Sequence, residues 1–245
     1  MRALQIAATG MSAQQMRVDT VANNLANMST TGYNARRAEF ADLHYQQFTR
    51  AGSISSSDGT IVPTGVQLGL GARPSSVAMQ VAQGALVQTG GDLDLAIEGR
   101  GWLEVVLPDG RAAYTRDGGL KSNGDGLIVT SEGYEVAPGI VIPPETRSLS
   151  INAEGEVWAY FSDRVQPERL GQLTLSGFTN ERGLEALGSN LFVETEASGP
   201  PFVGNPGEEG LGTLRQGYLE ESSVDPVREL TEMIKAQRGY ELNAK

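Results

Sequence analysis

Both ends of the chain carry a heptad. Near the N-terminus, Leu4, Met11, Val18 and Leu25 recur every seven residues, and Ala7, Gln14, Val21 and Met28 each follow three residues later. This a/d spacing, apolar except at Gln14, makes a narrow seam along one face of a helix over residues 1–28. At ~1.5 Å per residue the helix would run roughly 40 Å. Gln5, Thr9, Ser12, Gln15, Arg17, Asp19 and Asn23 make its other faces polar. Near the C-terminus, Asp225 is a good N-cap, and Pro226 suits the first helical position because its missing N–H would be orphaned there. Val227, Leu230, Ile234, Gln237 and Ala244 keep the a/d spacing, Glu241 interrupts it, and Met233 and Leu242 widen the face. Gly239 inside this helix costs about 1 kcal/mol relative to Ala. Seams this narrow need another helix, so the two ends are expected to meet in space. The pattern alone fits two outcomes: two ordinary helices packed on one core, or a terminal coiled coil that also packs against copies of itself.

The 245 residues allow one large or two small domains. A hydrophobic content of 39% supports a real core, and Gly 31 with Pro 11 suits many turns and short strands. The formal net charge of −11 offers no phosphate-neutralising patch, which argues against a nucleic-acid partner and suits a basic partner surface. With Cys 0, disulfides, thiolate metal sites and cysteine nucleophiles are excluded. No apolar run approaches the ~20 residues needed to span a bilayer, so no membrane insertion is expected. The N-terminus lacks the basic and apolar regions of a cleaved secretory signal, so export would use a route that leaves the N-terminus in place.

The first helix runs into Asn23, Asn24 and Asn27, then Ser29-Thr30-Thr31-Gly32. Side-chain amides compete for backbone hydrogen bonds and Gly32 can take positive φ, so a strong stop is expected. These amides either cap the helix or bond to neighbouring chains. Phe40, Leu43, Tyr45 and Phe48 fit a short packed arm, residues 51–59 a loop, and Val66, Leu68 and Leu70 alternate as a strand. Residues 73–220 read as β-rich. Trp102–Leu107 and Ala112–Thr115 flank Pro108-Asp109-Gly110 as a hairpin, Asn123–Gly126 closes another, and Ser148–Ile151 and Glu156–Tyr160 flank Asn152–Gly155. Gly171–Phe178 is expected to be one further strand. The predicted fold class is α+β: N- and C-terminal helices pairing as a coiled coil, with a β-rich antiparallel middle domain.

Catalytic chemistry finds little purchase. Residues 121–132 place Asn123, Asp125 and Glu132 as in a calcium loop, but Lys121 stands where the first carboxylate belongs and the flanks read as strands. His44 is the only histidine and has no second ligand to join it. The acid pairs Glu208-Glu209 and Glu220-Glu221 suit solvated surface or a helix start. No phosphate-binding loop and no nucleophile elbow occur. Catalytic residues, cofactors and metals are therefore all expected to be none. The rival from another class, a secreted β-domain glycan hydrolase, rests only on abundant acids and a β-rich middle.

The segment Ala22-Asn23-Asn24-Leu25-Ala26-Asn27 followed by Thr31-Gly32-Tyr33 resembles the N-terminal signature of flagellar rod and hook proteins. Leu93-Asp94-Leu95-Ala96-Ile97-Glu98-Gly99-Arg100-Gly101-Trp102 is similar to a second family block, with Trp102 where Phe is usual, and Ala113-Tyr114-Thr115-Arg116-Asp117-Gly118 to a third. Gly183-Leu184, Gly188, Asn190-Leu191 and Glu194-Thr195 are similar to the next, and Gln216-Gly217-Tyr218-Leu219-Glu220 with Met233-Ile234, Gln237-Arg238 and Tyr240-Glu241 to the C-terminal one. The departures are Ser223, Gly239 and Ala244, and the chain stops at Lys245 where relatives continue the helix, which shortens the seam available to residues 1–28.

The resemblance implies a structural subunit of the distal rod that assembles into the helical drive shaft carrying torque from motor to hook. Hook and proximal rod proteins are the alternatives within the family. Residues 1–33 with 222–245 would form the helical domain, 34–72 a connecting arm, and 73–221 an outer β domain. Leu4, Met11, Val18, Val21, Leu25, Val227, Leu230, Ile234 and Gln237 would carry assembly, with Asn23, Asn24 and Asn27 as directional hydrogen bonders. The stretch 50–71, with Gly52, Ser53, Ser55, Ser56, Pro63 and Gly65, resembles one that distal rod members have and hook members lack. The implied partners are further copies of the chain in a helical homopolymer, proximal rod proteins, the hook protein, the P-ring and L-ring proteins and the type III export apparatus. The implied place is the basal body in the periplasm.

Overall fold

A Pro-free, Ala- and Gln-rich N-terminus forms α1 (Arg2–Ala26), and the capped C-terminal segment forms α2 (Pro226–Ala244). Between them the described residues form strands, turns and one short 3-10 helix (Glu181–Gly183), so the fold class is α+β. The computed structural model describes residues 2–52, 64–164, 166–208 and 210–244. Two compact units divide the chain: Met1–Ala26, Arg36–Met79 and Asp225–Lys245 form one, and Asn27–Ala35 with Gln80–Val224 the other.

In the helix-bearing unit α1 packs against α2 and against the first of two antiparallel ribbons. β1 (Arg36–Asp42) pairs with β4 (Ala72–Met79), Arg36 opposite Met79 and Asp42 opposite Ala72, with a bulge after Glu39. β2 (Tyr45–Thr49) pairs with β3 (Val66–Gly69). The strand expected around Val66 and Leu68 is present. Phe40, Tyr45 and Phe48 do not pack an arm inward; they lie exposed on the ribbons, as do Val66 and Leu68. Two-stranded ribbons have two faces, and among the described residues no second layer covers the outer one.

The β unit contains β5 (Leu86–Gln88), β6 (Leu95–Glu98), β7 (Trp102–Val106), β8 (Ala112–Thr115), β9 (Lys121–Ser122), β10 (Ile128–Val129) and β11 (Glu135–Val136). It continues with β12 (Thr146–Ile151), β13 (Glu156–Phe161), β14 (Glu168–Gln172), β15 (Leu175–Gly177), β16 (Glu185–Gly188), β17 (Leu191–Val193), β18 (Phe202–Gly204), β19 (Thr213–Gln216) and β20 (Tyr218–Glu220). The largest sheet runs β16-β17-β8-β7-β11-β10-β9, with β15 joining β7 and carrying β18. β12-β13-β14 form a separate sheet, while β19 pairs with β6 and β20 with β5. All pairings are antiparallel, and the expected hairpin is in register, Val106 opposite Ala112.

One expectation fails. Gly171–Phe178 is not a single strand: β14 pairs with β13, whereas β15 pairs with β7 and β18. Leu173, fully buried, donates its N–H to Gly155 at 2.8 Å between the two. A continuous strand could not serve two sheets, so the break lets one apolar run line the core from both. That core comprises Leu95, Ile97, Leu103, Val105, Ile128, Val136, Val157, Leu173 and Leu175 among others, with Trp102 and Phe178 also fully buried. Each such side chain is worth about 1.5–3 kcal/mol of burial.

Candidate assembly surface

The α2 start follows from its cap. Asp225 Oδ1 accepts from the N–H groups of Val227 at 3.0 Å and Arg228 at 3.3 Å, and Glu229 stands in the first turn, where the helix dipole favours it. From there α2 runs antiparallel to α1. Asn24 lies beside Glu229, Arg17 pairs with Glu232, Gln14 faces Gly239, and Gly10 faces Asn243. Ala13 and Ala236 are buried in this contact, Ala236 completely. A Cβ on Gly239 would stand 3.2 Å from the Gln14 side chain, and one on Gly10 would stand 3.0 Å from Asn243. Small residues let the two backbones approach, and polar side chains fill the rest. Glu232 also accepts from Lys235 at 2.9 Å; that hydrogen bond, reinforced by the Arg17 charge, holds its carboxyl below the usual range.

The expected apolar seam is therefore not the surface that joins the helices within one chain. Val227 is 74% exposed, Leu230 and Ile234 are each 51% exposed, and Gln237 is exposed beside them. Helix α2 is rotated so that Glu229, Glu232, Met233, Ala236, Gly239 and Asn243 meet α1, because Ala236 and Gly239 permit an approach that Leu230 and Ile234 would block. On α1, Val21 is buried and Met11, Val18 and Leu25 are half-buried, while Leu4 is 72% exposed. The heptad on α2 is real, but it faces outward.

The amides divide as well. Asn24 is buried. Its Nδ2 donates to the Arg36 carbonyl at 2.8 Å and to Glu229 at 3.1 Å, and its Oδ1 accepts the Arg36 N–H at 2.9 Å. It reads the end of α1 to the start of β1 like a strand partner, so it is not available to another chain. Asn23 is exposed, and Asn27 accepts from Thr30 at 3.3 Å in the turn that ends α1. Of the arm residues, Gly52 and Gly65 are described. A side chain at Gly65 would strike the Thr49 carbonyl at 2.5 Å, so the mouth of the β2–β3 ribbon requires glycine there. Ser53, Ser55, Ser56 and Pro63 lie outside the described residues.

In the β unit, residues 27–35 are pinned by distant segments. The Gly32 N–H donates to the Glu220 carbonyl at 2.8 Å, Thr31 Oγ1 to Asp117 at 2.8 Å, and Asn190 Nδ2 to the Thr31 carbonyl at 2.9 Å. Ser223 Oγ accepts from the Ala35 N–H at 2.9 Å. Gly32 has φ +64, and a Cβ there would lie 2.7 Å from the Arg116 backbone, so only glycine fits. Below this segment Arg116 and Glu220, each 4% exposed, form a buried ion pair at 2.9 Å. Arg116 also donates to the carbonyls of Gly99 and Gly101, both at 3.1 Å, and Glu220 accepts from the Gly84 N–H at 2.9 Å. Every strong donor and acceptor of the pair has work inside the fold, which is what makes burying the charges tolerable. Sequence reasoning quoted Arg116 and Glu220 in separate blocks and missed the pair; the only signal was an Arg and a Glu in the two most distinctive motifs.

Known families match along this same frame. A family model described as flagella basal body rod protein matches residues 4–34, which takes in α1 from Leu4 onward. One described as flagellar hook protein FlgE/F/G D1 domain matches 96–159, and one described as flagellar basal body rod FlgEFG protein C-terminal matches 215–245. The flagellar basal-body rod protein FlgG of Caulobacter vibrioides is 51% identical over 245 residues, covering 100% of this chain and 94% of that protein. This chain belongs to the FlgG family of flagellar basal-body rod proteins. The FlgG proteins of Agrobacterium fabrum and Borreliella burgdorferi are each 47% identical, covering 100% of this chain and 94% and 93% of their own lengths. As a FlgG-family protein the chain is a structural subunit of the flagellar rod, placed in the basal body. Its matched N- and C-terminal segments are those that contain α1 and α2, and the middle match contains Arg116.

Proposed function

We propose that this protein is the distal rod subunit, polymerising through its terminal helices into a shaft that carries torque from the motor to the hook. The observation that carries this reading is the outward face of α2, where Val227, Leu230 and Ile234 lie exposed on one side of a well-capped helix. A monomer gains nothing from such a stripe, whereas a neighbouring helix would bury it. The coiled-coil seam that the heptads describe then forms between copies, with Leu4, Met11, Val18 and Leu25 on α1 and Val227, Leu230, Ile234 and Gln237 on α2, assisted by Asn23 and Asn27, while Val21 is already buried within its own chain. Contacts in which one face meets a different face of the next copy do not close and generate an open helical filament. Residues 1–33 with 222–245 line the inside of the shaft, 34–72 form an arm whose stretch 50–71 stiffens it, and 73–221 face outward. The exposed Tyr45, Phe48, Val66 and Leu68 on the ribbons support the arm's role as a contact surface.

The subunit acts by assembly and not by catalysis. It leaves the cytoplasm through the type III export apparatus, crosses the periplasm, joins proximal rod proteins below and the hook protein above, and turns inside the P and L rings. Electron microscopy over a concentration series tests the core of this reading. The unaltered protein should form straight rods, and the Leu230→Ser/Ile234→Ser variant should stay monomeric with its far-UV helical signal intact. Rods from the variant at the same concentration would refute assembly through α2.

A further inference from the structure

Acidity is confined to one unit. The β unit has nine Lys and Arg against twenty-two Asp and Glu, and the helix-bearing unit has ten against eight. Ion pairing sharpens the contrast. Six of the nine basic side chains of the β unit are paired within it. In the helix-bearing unit, among the described residues, only Arg17 and Lys235 are, both on Glu232. Arg37, Arg50, Arg73, Arg228 and Arg238 are exposed and have no ion pair among the described residues.

The β unit also contains a cleft of about 470 Å³, a size usual for ligand pockets. Asp92, Asp125 and Arg147 line it, with Leu93, Ile142 and Leu149 as apolar wall. None of the three charged side chains has an ion pair among the described residues. Thr146 lines the cleft too, its hydroxyl buried and without a hydrogen-bond partner among the described residues. Two carboxylates against one guanidinium leave a single negative charge in excess.

We propose that this cleft receives an arginine side chain from the helix-bearing unit of a second copy of the chain. One incoming guanidinium neutralises the lining. Its fork of N–H groups suits the carboxylates, and its methylenes and flat face suit Leu93, Ile142 and Leu149. The β unit has few unpaired cations of its own to offer, whereas the helix-bearing unit has a surplus. The contact joins unlike faces, so it propagates an open filament. The inference rests on the assembly reading above and adds a second, electrostatic joint to the apolar one.

Since the natural chain has no cysteine, introduced pairs report contacts without background. A Ser148→Cys protein, marked at the cleft wall, is mixed under assembly conditions with Glu39→Cys, Ala51→Cys, Ser75→Cys, Thr231→Cys or Leu242→Cys protein, each marked beside one free arginine. A short bismaleimide then traps neighbours. Ile234→Cys alone monitors assembly through α2. The expected result is a mixed dimer from one of these pairs, reduced about tenfold by Asp92→Asn/Asp125→Asn and by raising salt to about 0.5 M. If Ile234→Cys cross-links and no mixed pair does, assembly stands and the cleft proposal falls. A mixed dimer indifferent to the two asparagines also overturns it. No cross-link at any position overturns both readings.

Discussion

The two units solve the problem of burial differently. In the β unit large apolar side chains point inward from several sheets, and Leu103, Val105, Val136, Val157, Leu173 and Leu175 have no exposed surface at all. In the helix-bearing unit the buried positions are Ala13, Val21, Asn24, Met79 and Ala236, mostly small or polar, while Leu4, Phe48, Val66, Val227, Leu230, Ile234 and Leu242 remain outside. Its helices touch through glycine, alanine and hydrogen bonds. The β unit is built as a finished domain. The helix-bearing unit is built with its apolar surface facing away from itself, as suits a part completed by its neighbours.

The sharpest test of that contrast is the buried ion pair. Glu220→Ala leaves Arg116 charged and unpartnered inside the β unit and should cost about 3–5 kcal/mol in denaturant unfolding followed by tryptophan fluorescence. A loss below about 1 kcal/mol would mean that the pair is more hydrated than its 4% exposure indicates. Leu103→Ala and Ile234→Ala set the two units side by side. The first should destabilise the monomer by about 2–5 kcal/mol through an unfilled cavity, the second by no more than about 0.5 kcal/mol. Equal effects would erase the distinction drawn here.

Tyr114 offers a pH handle on the β unit alone. Burial, with the Glu104 and Glu194 charges behind it, pushes its phenol from 10.0 up to about 12. The folded state thus holds a proton that the unfolded state releases earlier. Its contribution to stability is whole below pH 10 and is lost as pH rises through about 12. Ultraviolet titration should show a tyrosine step near pH 12, and Tyr114→Phe should remove that step. Asn24→Ala orphans the Arg36 backbone groups and should cost about 1–3 kcal/mol. Amide exchange at Arg36 should accelerate, while exchange in the β-unit core should not.

Much of this architecture was legible because it is periodic. The heptads announced both helices, Asp225-Pro226 announced where α2 begins, and turn chemistry at Pro108-Asp109-Gly110 and Asn152–Gly155 announced two hairpins that formed. What the sequence concealed was direction. A heptad says that a face is apolar; it does not say whether the partner is in the same chain or the next. Small residues at Ala236 and Gly239 tipped the intramolecular contact to the opposite side, and no pattern of apolar residues records that choice. Asn24 was misjudged for a related reason: its partner, the Arg36 backbone, carries no side-chain signature. The split between β14 and β15 was hidden because a continuous apolar run looks the same whether it serves one sheet or two. At the candidate site the residue types were readable, but which of them face a neighbour was not.

The hydrogen bonds that hold residues 27–35 have a temporal meaning. Thr31 waits for Asp117 and Asn190, and Ala35 waits for Ser223, 188 residues further along. Arg17 and Asn24 wait longer still, for Glu232 and Glu229 near the other end of the chain. A polypeptide that emerged N-terminus first would therefore hold its opening helix without α2, against which it packs, until almost everything else had arrived. Contacts of such long sequence separation form late and slowly. Premature folding of the leading end is thus disfavoured by the order in which the partners appear.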